Sequence, residues 1–196
     1  MVNHQFTFVG KERAVRADAA RNRAAILAAA RRLLVTRGPE AGMDEIAAEA
    51  GVAVGTLYRH FPTKQDLVRE IAEDLGTAIA DVLDNAAARV AAEQTAAADE
   101  LLGLIRRVVV DLSEERLLRT ALSDLSPEPL QAMRQHATRA IESLITAAHR
   151  EHALRPGISA DDVGLLLATS PGADVPEPDR QRWVELAWLA LSDHRR

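Results

Sequence analysis

The stretch that most constrains this chain runs from Gly51 to Lys64 and reads GVAVGTLYRHFPTK. Before it, from Met43 to Ala50, apolar residues recur at i, i+3, i+4 and i+7, which is the spacing of an amphipathic helix. Gly51 is predicted to close that helix in the left-handed conformation, and Val54–His60 to form a second, short helix. Helix, tight glycine turn and short helix outline a helix-turn-helix, whose second helix enters the DNA major groove.

The segments on either side carry their own start and stop signals. Asp18 is predicted to be the N-cap of a helix that ends at Gly38-Pro39, with glycine just past the last turn and proline after it. Thr63 and Asp66 resemble a capping box that opens a long helix, with Asp in place of the usual Glu. Three helices and the start of a fourth are therefore expected in the first third of the chain.

The rest of the chain also shows helical periodicity and no alternating strand pattern. Helical runs are predicted at 99–111, 114–122, 127–152, 161–168 and 178–194. Apolar residues make up 47% of the chain but aromatic residues only 3%, so the core must consist mainly of Ala, Leu, Val and Ile, which suits packed helices. The predicted fold class is all-α, with about nine helices in total.

Several classes of function are disfavoured by what the sequence lacks. There is no cysteine, and the pair His149 and His152 has no third metal ligand nearby, so neither a metal site nor a cofactor is expected. The sequence contains no glycine-rich phosphate loop after a strand, and its carboxylates are scattered, so we expect no enzyme. No apolar run has the length of a membrane span or signal-peptide core, which predicts a cytoplasmic protein.

Charge is distributed unevenly along the chain. The net charge is −5, yet from Lys11 to Lys64 the chain carries 10 basic and 6 acidic residues, and the remainder carries 14 basic and 23 acidic ones. A basic N-terminal segment on an acidic body is typical of a DNA-facing module attached to a domain that avoids DNA. Chance unevenness is the alternative explanation.

The residue types of the second helix suit contact with DNA. The short side chains of Gly55 and Thr56 allow close approach to base edges, and the threonine offers both a hydroxyl and a methyl group. Tyr58 and His60 can donate hydrogen bonds to phosphate oxygens, which positions the protein without reading sequence. Lys64 lies in the first turn of its helix, where a positive charge is unfavourable because of the helix dipole. A phosphate bound at this helix start would make the positive charge favourable. Core or surface packing is the alternative for each side chain.

These residues resemble the tetracycline-repressor (TetR) family of transcriptional regulators. The resemblance rests on IAAEAGVAVGTLYRHFPTKQDL, from Ile46 to Leu67, and on the AILAAARRLLVTRG helix that ends at Gly38. It covers about Arg16 to Ile71, and the combination of motifs is far more specific than any one dipeptide.

The resemblance implies a ligand-responsive repressor that binds a palindromic operator on double-stranded DNA as a homodimer and is released by a small-molecule effector. It implies a helix-turn-helix domain at 16–68 and a helical ligand-binding and dimerisation domain at 69–196. Residues 1–15 show no clear periodicity and are expected to form a flexible basic arm. The positions that it places at the DNA interface are Val54, Gly55, Thr56, Tyr58, His60 and Lys64. Arg16, with the other basic residues near the arm, is expected to reach the minor groove; a solvated tail is the alternative.

The C-terminal sites are less specific. By resemblance the last two helices form the dimer interface, through Val163, Leu166, Leu167, Trp183, Leu186, Ala187, Ala190 and Leu191. The alternative is that these residues face an intramolecular core. The expected lining of the effector pocket is Leu102, Arg106, Met133, His136 and Ala140.

The chain departs from the family pattern at two helix starts. Ala53 stands where the family often has a Ser or Thr cap, and the segment around Gly42 lacks the usual hydroxyl that touches phosphate. Asp44 and Glu45 suit the helix dipole but would repel a phosphate. These departures favour an alternative function: a helical protein-interaction module that has kept the fold and lost specific operator binding.

Overall fold

Eight α-helices make up most of the chain in a computed structural model that describes residues 5–111, 118, 122 and 127–193, with the backbone alone for 5–15, 127 and 129. They are α1 (Gln5–Arg37), α2 (Met43–Glu49), α3 (Val54–His60), α4 (Lys64–Ala91), α5 (Ala97–Arg106), α6 (Pro127–Arg150), α7 (Ala160–Ala168) and α8 (Glu177–Leu191). Those ranges contain no strand beyond an isolated bridge between Leu154 and Ser192. The all-α prediction is confirmed. The run predicted at 114–122 lies outside the described residues, apart from Leu118 and Leu122.

The chain divides into two compact units. The first consists of Met1–Ala72 with Ala121–Ser126, and the second of Glu73–Thr120 with Pro127–Arg196. The chain passes from the first unit to the second within α4. No helix in the described part of the chain combines the length and apolar character that a membrane span requires.

The core of the first unit forms where α1, α2 and α3 pack on one another. Its fully buried large side chains include Ile26, Leu34, Ile46 and Leu57, and Phe61 is buried after the end of α3. Burying a side chain of this size stabilises a fold by about 1.5–3 kcal/mol. Leu57 and Phe61 therefore lie on the inner side of the segment that carries α3.

The start of α1 differs from the prediction. Asp18 was expected to be an N-cap, but α1 begins at Gln5 and Asp18 lies in its interior. The sequence has no proline between these two residues, so nothing forces the helix to stop upstream. The Asp18 carboxylate instead pairs with Arg21, three residues along the same helix face.

Two of the predicted helix boundaries are formed by the residues expected to form them. Gly38 has φ +70°, the left-handed conformation that ends a helix, and the short 3₁₀ turn Gly38–Glu40 follows α1. At the start of α4, the Asp66 carboxylate accepts from the Thr63 amide at 3.1 Å, while the Thr63 hydroxyl accepts from the Asp66 amide at 3.1 Å. This reciprocal pair is the predicted capping box.

The core of the second unit lies between α5, α6, α7 and α8. The helical path of α5 continues into a π-helical turn at Arg107–Asp111. The start of α5 has Ala96 as its N-cap, without a side-chain cap. Glu151, just past α6, supplies the missing acceptors, because its two carboxylate oxygens accept from the Ala97 and Ala98 amides at 2.9 and 3.4 Å. An acidic group at this position also complements the helix dipole.

Candidate nucleic-acid interface

A tight glycine turn sets the angle between α2 and α3. Ala50 caps α2, and Gly51 follows with φ +68°. The Gly51 amide donates to the Ala48 carbonyl at 3.1 Å, and the Val52 amide donates to the Ala47 carbonyl at 3.0 Å. These two bonds define a Schellman motif, which satisfies the last carbonyls of α2 and reverses the chain direction. The left-handed Gly51 predicted from the sequence is therefore confirmed.

The outer face of α3 carries residues with few intramolecular contacts. Val54 is 41% exposed and Tyr58 is 45% exposed. A Cβ atom added at Gly55 would meet nothing within 4 Å. Arg59 is exposed as well, four residues after Gly55 on the same face. We call Val54, Gly55, Tyr58 and Arg59 the outer face of α3.

Thr56 and His60 lie at the border between this face and the interior. Both are half-buried. The His60 ring packs near Phe61, with ring centroids 6.5 Å apart and planes tilted by 43°. The structure thus brings five of the predicted DNA-contacting residues together on one short helix, while Lys64 lies at the start of the next.

Lys64 is tied to the loop that follows α1. Its ammonium group donates to the carbonyl oxygen of Pro39. An ammonium has three N–H donors, so this bond leaves donors for another acceptor such as a phosphate oxygen. The contact gives Lys64 a positioning role within the first unit, and its contact with DNA stays a prediction.

The N-termini of α2 and α3 lack side-chain hydroxyl caps, as the departures from the family pattern predicted. Ala53, the N-cap of α3, has extended backbone angles and makes no side-chain cap, as the sequence predicted. At the start of α2, the Gly42 amide donates to the Glu45 carboxylate at 3.1 Å. Neither N-cap residue, Ala53 or Gly42, therefore offers a side-chain hydroxyl.

Arginines of α1 neutralise the acidic side of α2. Arg37 pairs with Glu45, and Arg32 donates to Glu49 from Nε at 3.1 Å and from Nη2 at 2.9 Å. The bond from the Gly42 amide, followed by the positive charge of Arg37, holds the pKa of Glu45 below its usual value. Phosphate repulsion by Glu45, as expected from the sequence, is thereby reduced, because the charge has a local partner.

The basic residues near the N-terminus have different surroundings. Of the predicted arm at 1–15, residues 1–4 lie outside the described part of the chain. Residues 5–15 are described by their backbone alone, which is helical. Arg16 is exposed. Arg23 pairs with Glu70, and its guanidinium lies 5.4 Å from the centre of the Phe61 ring. Arg23 is therefore held against the core of the first unit, a contact pattern that helical periodicity alone does not show.

The residues predicted to form a dimer face divide into two sets. Val163, Ala187 and Leu191 are buried, and Leu166, Leu167 and Trp183 pack partly buried on the core of the second unit. Leu186 and Ala190 are exposed.

Among the described helices, α7 and α8 also expose two leucines that the sequence analysis did not select. Leu165, on α7, is 65% exposed, and Leu189, on α8, is 46% exposed; Leu186, one turn before Leu189, is 51% exposed. We call Leu186 and Leu189 the leucine patch. Neighbouring leucines differ in exposure here, so the hydrophobic pattern predicted Leu186 but not Leu165 or Leu189.

The residues predicted to line an effector pocket lie on α5 and α6, two helices that pack together. Leu102 packs on the core of the second unit, and Met133 is buried. Arg106 is exposed and Ala140 half-buried. The His136 Nε2 atom lies 2.9 Å from an Asp84 carboxylate oxygen, which gives this side chain a partner on α4.

A short outward-facing helix held at a fixed angle by a glycine turn defines a helix-turn-helix DNA-binding protein. The family model of the bacterial regulatory proteins of the tetR family matches residues 26–78, which contain this whole motif. The chain is 31% identical to the TetR transcription regulatory protein from Mycobacterium vanbaalenii, with a TM-score of 0.64, covering 91% of this chain and 99% of that one. This chain therefore belongs to the TetR family of transcriptional regulators.

Two further relatives agree with this assignment. A TetR transcriptional regulator from Streptomyces coelicolor is 26% identical, with a TM-score of 0.63, over 88% of this chain and 99% of that one. An HTH-type transcriptional repressor of Mycobacterium tuberculosis is 43% identical over 65 residues, which are 33% of this chain and 35% of that protein. The chain thus spans about a third of the length of the curated relatives that it matches.

Proposed function

We propose that this protein is a ligand-responsive transcriptional repressor that binds a palindromic operator as a homodimer and is released by a small-molecule effector. The observation that carries the proposal is the outer face of α3. The side chains of Val54 and Tyr58 are exposed there, and the space around Gly55 is open. A surface of this kind suits the major groove, where side chains meet base edges and phosphates.

A homodimer accounts for the leucine patch. Leu186 and Leu189 expose apolar side chains one turn apart on α8, and exposed apolar patches are typical of protein–protein contacts. A two-fold dimer uses the same patch on both copies and presents two copies of α3 to DNA. Their centres must lie about 34–36 Å apart to meet successive major grooves, so the operator is expected to be palindromic.

The effector is proposed to act by shifting a population rather than by chemistry. It binds in the second unit, near the predicted residues of α5 and α6, and favours a dimer whose recognition helices no longer match the operator spacing. The protein then acts by binding and not as an enzyme. Linkage requires the operator and the effector to weaken each other's binding by the same factor. Equal effector affinity for free and DNA-bound protein would overturn this mechanism.

A second candidate function follows from the helix starts of the motif. Ala53 provides no side-chain cap, and Gly42 provides no hydroxyl for phosphate. A chain that kept the fold but bound a protein instead of an operator would show the same two features. This candidate predicts no sequence-specific DNA binding.

Selection from a random duplex DNA library with the full-length protein separates the two candidates. The repressor is expected to enrich a palindrome whose half-sites are spaced by about one helical turn. Its affinity should fall steeply with salt, because phosphate contacts release counterions. If no sequence is enriched and the affinity is independent of salt, the repressor proposal is wrong and the interaction module is favoured.

A further inference from the structure

Arg59 lies on the outer face of α3, on the side opposite the buried Leu57. Successive residues of an α-helix are about 100° apart around its axis. Leu57 is fully buried, so the residues two before and two after it, Gly55 and Arg59, point to the opposite side. Tyr58 and Thr56 lie on either flank of this line.

The Arg59 guanidinium has no hydrogen-bond or ion-pair partner among the residues that the structure describes. The arginines of the neighbouring α1 differ in this respect, because Arg23, Arg32 and Arg37 are all paired with carboxylates of the first unit. A guanidinium presents up to five N–H donors in a planar fork. The one on α3 keeps these donors available for an external acceptor.

Gly55 supports close approach of a large molecule to the same line of the helix. Glycine inside a helix is less favourable than alanine because the chain loses more conformational freedom. No packing reason offsets this at Gly55, since an added Cβ would meet nothing within 4 Å and its φ angle is not positive. The missing side chain leaves open space one helical turn from Arg59, which allows a large molecule to approach the helix backbone closely.

The chemistry of Arg59 selects one base. A helix lying in the major groove directs the side opposite its buried residues to the groove floor, where base edges are displayed, and its flanks to the phosphate walls. Guanine offers there two adjacent acceptors, O6 and N7, which match the guanidinium fork. We propose that Arg59 reads a guanine in each half-site of the operator, an inference that rests on the proposed DNA-binding function.

The test repeats the library selection with wild type, with Arg59→Ala and with Arg59→Gln. Wild type is expected to enrich a guanine at one symmetric position of each half-site. In Arg59→Ala that position should become degenerate while the rest of the palindrome persists. In Arg59→Gln the preference should move toward adenine, which glutamine contacts through N6 and N7.

Binding titrations on base-substituted operators give the magnitude. Replacing the guanine should weaken wild-type binding by roughly 5- to 100-fold and leave Arg59→Ala almost indifferent. Arg134→Ala is the matched control, because Arg134 is an exposed helical arginine of the second unit. It should retain the wild-type preference. Thermal melting of each variant checks that the fold is intact.

Two results separate failure of this inference from failure of the proposed function. If Arg59→Ala keeps the wild-type base preference and loses affinity equally for all sequences, with a salt slope smaller by about one, Arg59 contacts phosphate and the inference is wrong. If wild type enriches no sequence at all, the proposed function is wrong, and the inference falls with it.

Discussion

Gly55 in α3 and its N-cap Ala53 both lower the stability of the helix and leave its surface without large side chains. Ala53 caps the helix without a side-chain acceptor, and Gly55 lies one residue inside the first turn with open space around it. Each choice is less favourable than a common alternative, a Ser or Thr cap or an interior alanine. Both leave the start of the helix free of bulk, which matters only if another molecule approaches it.

At the residue scale, we predict that Gly55→Ala stabilises the protein and weakens operator binding. Alanine should raise the free energy of unfolding by about 0.5–1 kcal/mol, because it restricts the unfolded chain and meets no neighbour in the folded one. The added methyl should hold the helix away from base edges. Urea denaturation and operator titrations at fixed salt measure the two effects.

Gly103→Ala provides the matched control for this substitution. Gly103 also lies in a helix, α5, and an added Cβ there would likewise meet nothing within 4 Å. It should gain similar stability without any change in operator affinity. Unchanged affinity in Gly55→Ala would mean that DNA does not approach this position closely.

At the scale of elements, α2 is held by charges supplied from its own start and from α1. Glu45 accepts from the Gly42 amide and pairs with Arg37, so one carboxylate both caps α2 and joins it to α1. Glu49 pairs with Arg32 one turn further along α2. Exposed pairs of this kind contribute little each, so they add to the packing of the buried Ile46 and Ala47 of α2.

The lowered pKa of Glu45 predicts how the stability of the first unit depends on pH. A carboxyl group whose pKa is lower in the folded state contributes stability that is fully present above its unfolded pKa. This contribution is lost as the pH falls through the folded value. Glu45→Gln should therefore be less stable than wild type at neutral pH, and the difference should disappear in acid.

Chemical denaturation of wild type and Glu45→Gln across a series of pH values measures this difference. Glu40→Gln is the control, since Glu40 is an exposed acid in the neighbouring 3₁₀ turn. It should follow the wild-type pH profile. A gap between Glu45→Gln and wild type that stayed constant into acid would show that ionisation of Glu45 contributes nothing to stability.

At the scale of the whole molecule, the two units have separate proposed tasks. The first presents α3, and the second presents the leucine patch on α8. A monomer would contact a single half-site, whereas a dimer binds both half-sites together and gains effective concentration from the link. Repression at a palindrome thus depends on a surface in the second unit that never touches DNA in this proposal.

We predict that Leu186→Asp converts the dimer to a monomer and strongly reduces affinity for a palindrome. Burying one leucine is worth about 1.5–3 kcal/mol, and two-fold symmetry counts it twice, so the dimer should weaken by at least about a hundredfold. Sedimentation velocity measures the assembly state, and circular dichroism confirms the fold. Ser143→Asp, at an exposed position of α6, should remain dimeric. A Leu186→Asp protein that sediments as wild type would exclude the leucine patch as the interface.

The local elements were predictable because their signals are local. The left-handed glycines Gly38 and Gly51, the capping box at Thr63 and the bounds of α3 each depend on residues within a few positions in the sequence. The start of α1 was mispredicted for the same reason: a strong N-cap residue, Asp18, is also acceptable inside a helix when an arginine lies one turn away.

The sequence by itself determined the helical class, the glycine turn and the identity of the recognition helix, because periodicity and turn chemistry act over short distances. Only the tertiary structure decided which polar and charged side chains have partners within the protein. It placed Lys64 on the Pro39 carbonyl and Arg23 on Glu70 and Phe61, while the outer face of α3 stayed open. It also separated Val163, in the core, from Leu165, on the surface. Periodicity shows that a residue faces one side of its helix, but its partner is set by residues distant in sequence.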